Sequence, residues 1–107
     1  MSSVERYSSV TNVWSVVAAM TTARENHGVA VHRGFLYAVG GYNGTHHLST
    51  VERFDPSANV WSVVASMATA RTSHGVAVHG GFLYAVGGQV HHGTGCLSTV
   101  ERYDPGN

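Results

Sequence analysis

The chain repeats itself, and that repetition constrains its fold more than any other feature. Residues 13–41 read VWSVVAAMTTARENHGVAVHRGFLYAVGG, and residues 60–88 read VWSVVASMATARTSHGVAVHGGFLYAVGG. At this offset of 47, 24 of the 29 aligned positions are identical. A shorter block occurs three times: Ser3-Val4-Glu5-Arg6-Tyr7, Thr50-Val51-Glu52-Arg53-Phe54 and Thr99-Val100-Glu101-Arg102-Tyr103. The last interval is 49, because the stretch after Gly88 is two residues longer than the stretch after Gly41. A repeat of this period is one small unit that cannot bury its apolar face alone and must stack on copies of itself.

Each repeat predicts four short strands and no helix. Gly28-Val29-Ala30-Val31-His32 is small and β-branched (strand a). Phe35-Leu36-Tyr37-Ala38-Val39 is a continuous apolar run, as a strand buried on both faces requires (strand b). Thr50-Val51-Glu52-Arg53-Phe54 alternates in polarity (strand c), and Val60-Trp61-Ser62-Val63-Val64 is β-rich (strand d). Arg33-Gly34, Gly80-Gly81 and Asp55-Pro56-Ser57 are turn signals, and Gly40-Gly41 and Gly87-Gly88 suit a backbone that leaves the sheet sharply.

Composition sets limits on function. A length of 107 residues predicts one small domain. Only 11% of residues are charged, the net charge is zero, and all six basic residues are Arg, so no basic footprint for nucleic acid or an anionic membrane exists. A hydrophobic fraction of 43% is enough for a packed core. No apolar run reaches the length of a membrane span, and the first residues show no secretory h-region. Cys96 stands alone and forms no internal disulfide. The expectation is a cytoplasmic domain with no nucleic-acid partner, no membrane partner and no cofactor.

These marks resemble the kelch repeat: a double Gly after an apolar strand, Tyr37 and Tyr84 three residues before it, and Trp61 about twenty residues after Gly41. The Met20-to-Arg24 and Met67-to-Arg71 segments and the VERYDP-like strand c are similar to those of the kelch-like adaptor subgroup. The resemblance implies an all-β fold in which each repeat is a four-stranded antiparallel blade of a β-propeller, strand a nearest the axis. The chain then holds a single two-blade unit over 1–107, with repeat 1 at about 13–59 and repeat 2 at about 60–107. Residues 1–12 form a partial strand that duplicates the C-terminal one. Propellers close with about four to eight blades, so two leave apolar faces and strand edges open. A six-bladed ring formed by homotrimerisation is expected, with an eight-bladed homotetramer as the alternative. Asp104-Pro105 keeps the family turn that Tyr7-Ser8-Ser9 lacks, so the C-terminal strand c is expected to pair with residues 13–17 of a neighbour; in the alternative, the N-terminal hairpin stays intact. The near-identity of the copies suits a piece of a longer array, a recent duplication or a designed unit.

In such a meander the d-to-a and b-to-c links share one face, and there they are long: 18–27, 65–74, 42–48 and 89–97. Long loops on a rigid scaffold carry binding. Four of the five mismatches between the copies fall in the d-to-a link. The resemblance implies peptide or protein binding by residues just after the double Gly and near the loop Arg. Here those are Tyr42, Asn43 and Gln89, with Glu25, Asn26, Thr72 and Ser73. Asn26 and Ser73 stand where acidic-peptide binders carry Arg. A structural role is expected for Trp14 and Trp61 as wedges between blades, for Tyr37 and Tyr84, for Gly40, Gly41, Gly87 and Gly88, and for Arg24 and Arg71. The recurring Glu and Arg of strand c are expected to make scaffold bonds.

Eight His residues raise a metal-binding or copper-oxidase alternative through His46, His47, His91 and His92 in the b-to-c loops. Adjacent residues of an extended segment rarely converge on one ion, and no carboxylate lies nearby to orient them. His27 and His74 precede strand a at matched positions and read as architecture, whereas His32 and His79 are expected at the surface. Only Glu25 supplies a carboxylate on the long-loop face, so no acid–base pair is available and no enzyme is expected.

Overall fold

The computed structural model describes residues 3–91 and 95–105, and among these every regular element is a strand. β1 (Val4–Ser8) and β2 (Val13–Val17) form an antiparallel hairpin. β3 (Gly28–His32), β4 (Phe35–Tyr42), β5 (His47–Asp55) and β6 (Val60–Val64) form a four-stranded meander in chain order. This is one complete a-b-c-d blade. β7 (Gly75–His79), β8 (Phe82–Val86) and β11 (Val100–Tyr103) repeat the a-b-c part of it. β9 (Gln89–His91) and β10 (Gly95–Cys96) are a short hairpin in the longer b-to-c link.

The registers explain why the sequence pattern works. Strand b is central in each sheet, and in β4 both faces are covered: Tyr37, Ala38 and Val39 are all buried. In the alternating strand c, Val51 and Phe54 are buried, and Phe54 lies opposite Trp61 with ring centroids 5.2 Å apart. Two clusters form on opposite faces of the complete blade. Tyr37, Val39 and Val51 pack on Leu83 and Ala85 of the second sheet. Met20, Ala38, Phe54 and Trp61 pack with Val4 and Val17 of the first hairpin.

Three expectations need correction. β4 does not stop at its double Gly. With φ of 63° and 100°, Gly40 and Gly41 form a bulge, and pairing resumes at Gly41–Leu48 and Tyr42–His47. The turn after Tyr7 is kept without the family residues, and within the single chain it closes the β1–β2 hairpin. Asn12 and Asn59 both take the left-handed conformation (φ 60° and 56°), and their N–H groups donate to Ser8 O at 2.7 Å and Asp55 O at 2.8 Å. The turn needs an Asn that tolerates positive φ, and Asp-Pro is dispensable. His32 is buried, at the end of β3. Trp14 is 64% exposed where its repeat equivalent Trp61 is 8% exposed, so only Trp61 is a wedge within the chain. The identical side chains differ because Trp61 packs with Val4 and Val17 of the β1–β2 hairpin, whereas the Trp14 ring meets that of Tyr7 and stays largely exposed.

Candidate functional site

The long-loop rim is built on two matched arginine latches. Arg24 is buried; one guanidinium nitrogen donates to Gly40 O at 2.8 Å and Thr50 O at 3.0 Å, and the other bonds Glu52 at 2.8 Å. Arg71, also buried, bonds Gly87 O at 2.9 Å, Thr99 O at 2.8 Å and Glu101 at 3.1 Å. Each d-to-a link is thereby fixed to strands b and c of the blade it enters. Glu52 completes the first latch by accepting from Thr21 N (2.8 Å), Thr21 Oγ1 (2.6 Å) and Thr22 N (3.1 Å). Burial works against its charge, but the bonds from Thr21 and Arg24 more than offset this, and the carboxyl is held below its usual range. Arg24, Arg71, Glu52 and Glu101 thus make scaffold bonds in this structure. The strand-c arginines add to these: Arg53 lies 4.6 Å from the Phe35 ring centroid, and Arg102 lies 4.3 Å from that of Phe82.

The latches bring the candidate binding residues together. Glu25 and Tyr42 exchange two backbone hydrogen bonds of 2.9 Å, and Thr72 and Gln89 exchange two of 3.0 and 2.9 Å. The two pairs are joined across the blades, because Ser73 N donates to Asn26 O at 2.8 Å. Asn26 and Ser73 both take φ of 53°. The result is one continuous path, Tyr42–Glu25–Asn26–Ser73–Thr72–Gln89. The double Gly makes room for it. A Cβ on Gly41 would lie 2.7 Å from Glu25 O, and one on Gly88 would lie 2.6 Å from Thr72 O. Glu25, Asn26, Asn43 and Ser73 are exposed, and Tyr42 and Gln89 are half-buried. Thr72 departs from the expectation: it is 5% exposed, so it serves the rim through its backbone.

Asn43 shapes its loop. Its side-chain oxygen accepts from Thr45 N and Oγ1, both at 3.0 Å, and from His46 N at 2.7 Å. Tyr42 OH donates to Gly44 O at 3.0 Å, and its ring lies 5.1 Å from that of His47. Ala23, Glu25, Tyr42, Asn43 and Gly44 line a shallow hollow here. Ala23 and Gly44 were missed by sequence reasoning; the signal available was their position beside Arg24 and Asn43. Chemically the rim offers neutral hydrogen-bonding groups, one aromatic ring and one carboxylate.

The His residues form no centre among the described residues, where no three His, Cys, Asp or Glu side chains group in a way that would hold a metal. His46 contacts Thr45, and His47 lies against Tyr42. His92 and the side chain of His91 lie outside the described residues. His27 and His74 sit under the rim, where burial lowers both imidazoles from 6.5, helped by Arg24 and Arg71 respectively. Cys96 is exposed.

Comparison with known proteins agrees with this layout. The family model described as Kelch motif matches residues 23–68 and 70–107. The first match runs from the Arg24 link through β6, and the second takes in β7, β8 and β11. Kelch-like protein 5 of Homo sapiens is 50% identical over 46 residues, which is 43% of this chain and 6% of that protein. A solved structure titled "Structure of YjhT" superposes with a TM-score of 0.66 at 25% identity, covering 71% of this chain and 24% of that one. The chain therefore spans only a small share of the length of either.

Proposed function

The chain belongs to the kelch-repeat family, and from that premise we propose that it is a self-assembling β-propeller scaffold that binds a peptide or protein through its long-loop rim. The observation that carries the binding reading is the backbone-stitched path from Tyr42 to Gln89. It holds the most variable residues of the two repeats side by side on rigid supports, the arrangement that suits recognition. Glu25, Asn26, Tyr42, Asn43 and Ser73 are the proposed contacts, with Gln89 beside them. An extended peptide with hydrogen-bonding and neutral or basic side chains fits their chemistry. The role is binding, with no catalytic step.

A second observation supports assembly. At the joint between the two sheets, Tyr37, Val39 and Val51 are at most 5% exposed and cover Leu83, itself 4% exposed. Their repeat equivalents at the far side of the second sheet are open: Val86 is 46% and Val100 54% exposed, and Tyr84 is half-buried. At the other end Val29, the equivalent of Val76 in that joint, is 51% exposed, while Leu36, Ala38 and Met20 lie under the first hairpin beside a gap of about 330 Å³. Tail and head are thus complementary surfaces of a head-to-tail contact, which closes into a ring if the rotation allows. Three copies making six blades is the proposed closure.

The binding reading is tested by selecting peptides against the assembled protein from a random library. Enriched peptides should lose at least tenfold in affinity against Tyr42→Ala or Glu25→Ala and keep it against Arg33→Ala, on the opposite face. Peptides indifferent to both rim substitutions would overturn it.

A further inference from the structure

The joint between the first hairpin and the complete blade shows how one blade grips the link that enters it. Ala18 follows β2. Its N–H donates to Asn59 Oδ1 at 2.9 Å, and its carbonyl accepts from Trp61 Nε1 at 2.8 Å. The repeat equivalent of Ala18 is Ala65, which is exposed, and no such grip reaches it among the described residues. The equivalents of Asn59 and Trp61 are Asn12 and Trp14. They have the same local geometry. Asn12 shares the positive φ, and Trp14 lies opposite Tyr7 in register, with ring centroids 5.3 Å apart, as Trp61 lies opposite Phe54. Among the described residues the Asn12 side-chain oxygen accepts from the Tyr7 hydroxyl, and Trp14 is largely exposed.

An unfilled position and the residues that fit it are therefore present on one chain, at opposite ends. β11 pairs with β8 on one edge and carries no strand on the other among the described residues. β2 is a strand-d sequence without a blade. Resting on the ring reading above, we propose that at each chain junction β2 of one copy becomes the outer strand of its neighbour's second blade. Asn12 and Trp14 then grip Ala65 of that neighbour, as Asn59 and Trp61 grip Ala18.

For this, β2 must exchange its partner strand. β1 and β11 share the sequence Val-Glu-Arg-Tyr, so one replaces the other residue for residue: Val100 opposite Val17, Arg102 opposite Ser15 and Tyr103 opposite Trp14. The structure also says which strand leaves. Glu101 anchors β11 by accepting from Ala68 N at 2.6 Å, Thr69 N at 3.1 Å and Arg71 at 3.1 Å. Glu5, the matching residue of β1, has no such loop contacts among the described residues and is exposed. β1 is held by its ladder to β2, by Tyr7 and by the packing of Val4, all of which the incoming strand reproduces. The exchange therefore preserves the strand pairing and adds cover for Val86, Val100 and Trp14.

Two cysteine pairs on a Cys96→Ser background test this. Ser15→Cys with Arg102→Cys should give, on mild oxidation, a ladder of covalent multimers in denaturing gels. Ser15→Cys with Arg6→Cys locks β1 onto β2; oxidised, it should scatter light as a monomer, and reduction should restore the multimer. If the Ser15/Arg102 pair stays uncrosslinked while the protein is multimeric, the exchange is wrong and the ring reading survives. The same holds if the locked hairpin assembles normally. If the parent chain is monomeric under the same conditions, the ring reading falls as well.

Discussion

At the scale of single residues, the repeat supplies its own controls. Arg24 and Arg71 are buried because each has a carboxylate and two carbonyls waiting for it, and both sets of partners recur with the sequence period. Removing one member of a buried pair strands the other, which costs about 3–5 kcal/mol. Arg24→Met should lower stability by about that amount in chemical denaturation, well above the effect of Arg33→Met at an exposed turn. The imidazoles of His27 and His74 add a dependence on pH. Both are held below 6.5 in the folded chain, so the unfolded chain binds protons that the folded one refuses. Their contribution is complete above the unfolded value and falls away as pH drops through about 6.5. Melting should therefore occur at a lower temperature at about pH 5.5 than at about pH 7.5, with a smaller difference in a His27→Gln/His74→Gln variant.

At the scale of elements, the strands were legible because their chemistry is local. The continuous apolar run of β4 and the alternation of β5 each follow from which faces are covered. What was not legible depended on neighbours. Nothing in Gly40-Gly41 tells a bulge from a strand end; the approach of Glu25 O decides it. Nothing in Thr72 shows that it is buried. The loss of the Asp-Pro turn after Tyr7 was misleading because Asn12 carries the requirement. The candidate binding residues came from the resemblance to the kelch repeat, with support from comparing the copies, but their joining into one path required the Ser73–Asn26 bond, which crosses between blades. The two tryptophans make the same point. Trp61→Ala should cost about 3–5 kcal/mol, the usual loss for a buried Trp. Trp14→Ala should leave the fold of the single chain nearly unchanged and weaken assembly, read as circular dichroism melting against sedimentation velocity.

At the scale of the whole molecule, the two sheets share one well-packed joint, and the proposed assembly would bring the chain's two outer surfaces together in another. The inner joint buries Tyr37, Val39, Val51 and Leu83, whereas the outer surfaces expose Val29, Val86 and Val100, residues equivalent to those in that joint or facing it. Exposed apolar faces of this kind mark contact surfaces. The proposed binding rim belongs to the same scale, since the proposed ring would present three copies of the Tyr42-to-Gln89 path on one face. Light scattering of the purified chain tests the central claim most directly. Assembly into a closed propeller predicts a monodisperse species of three times the 11.3 kDa chain mass, and a stable, monodisperse species of one chain mass would contradict it.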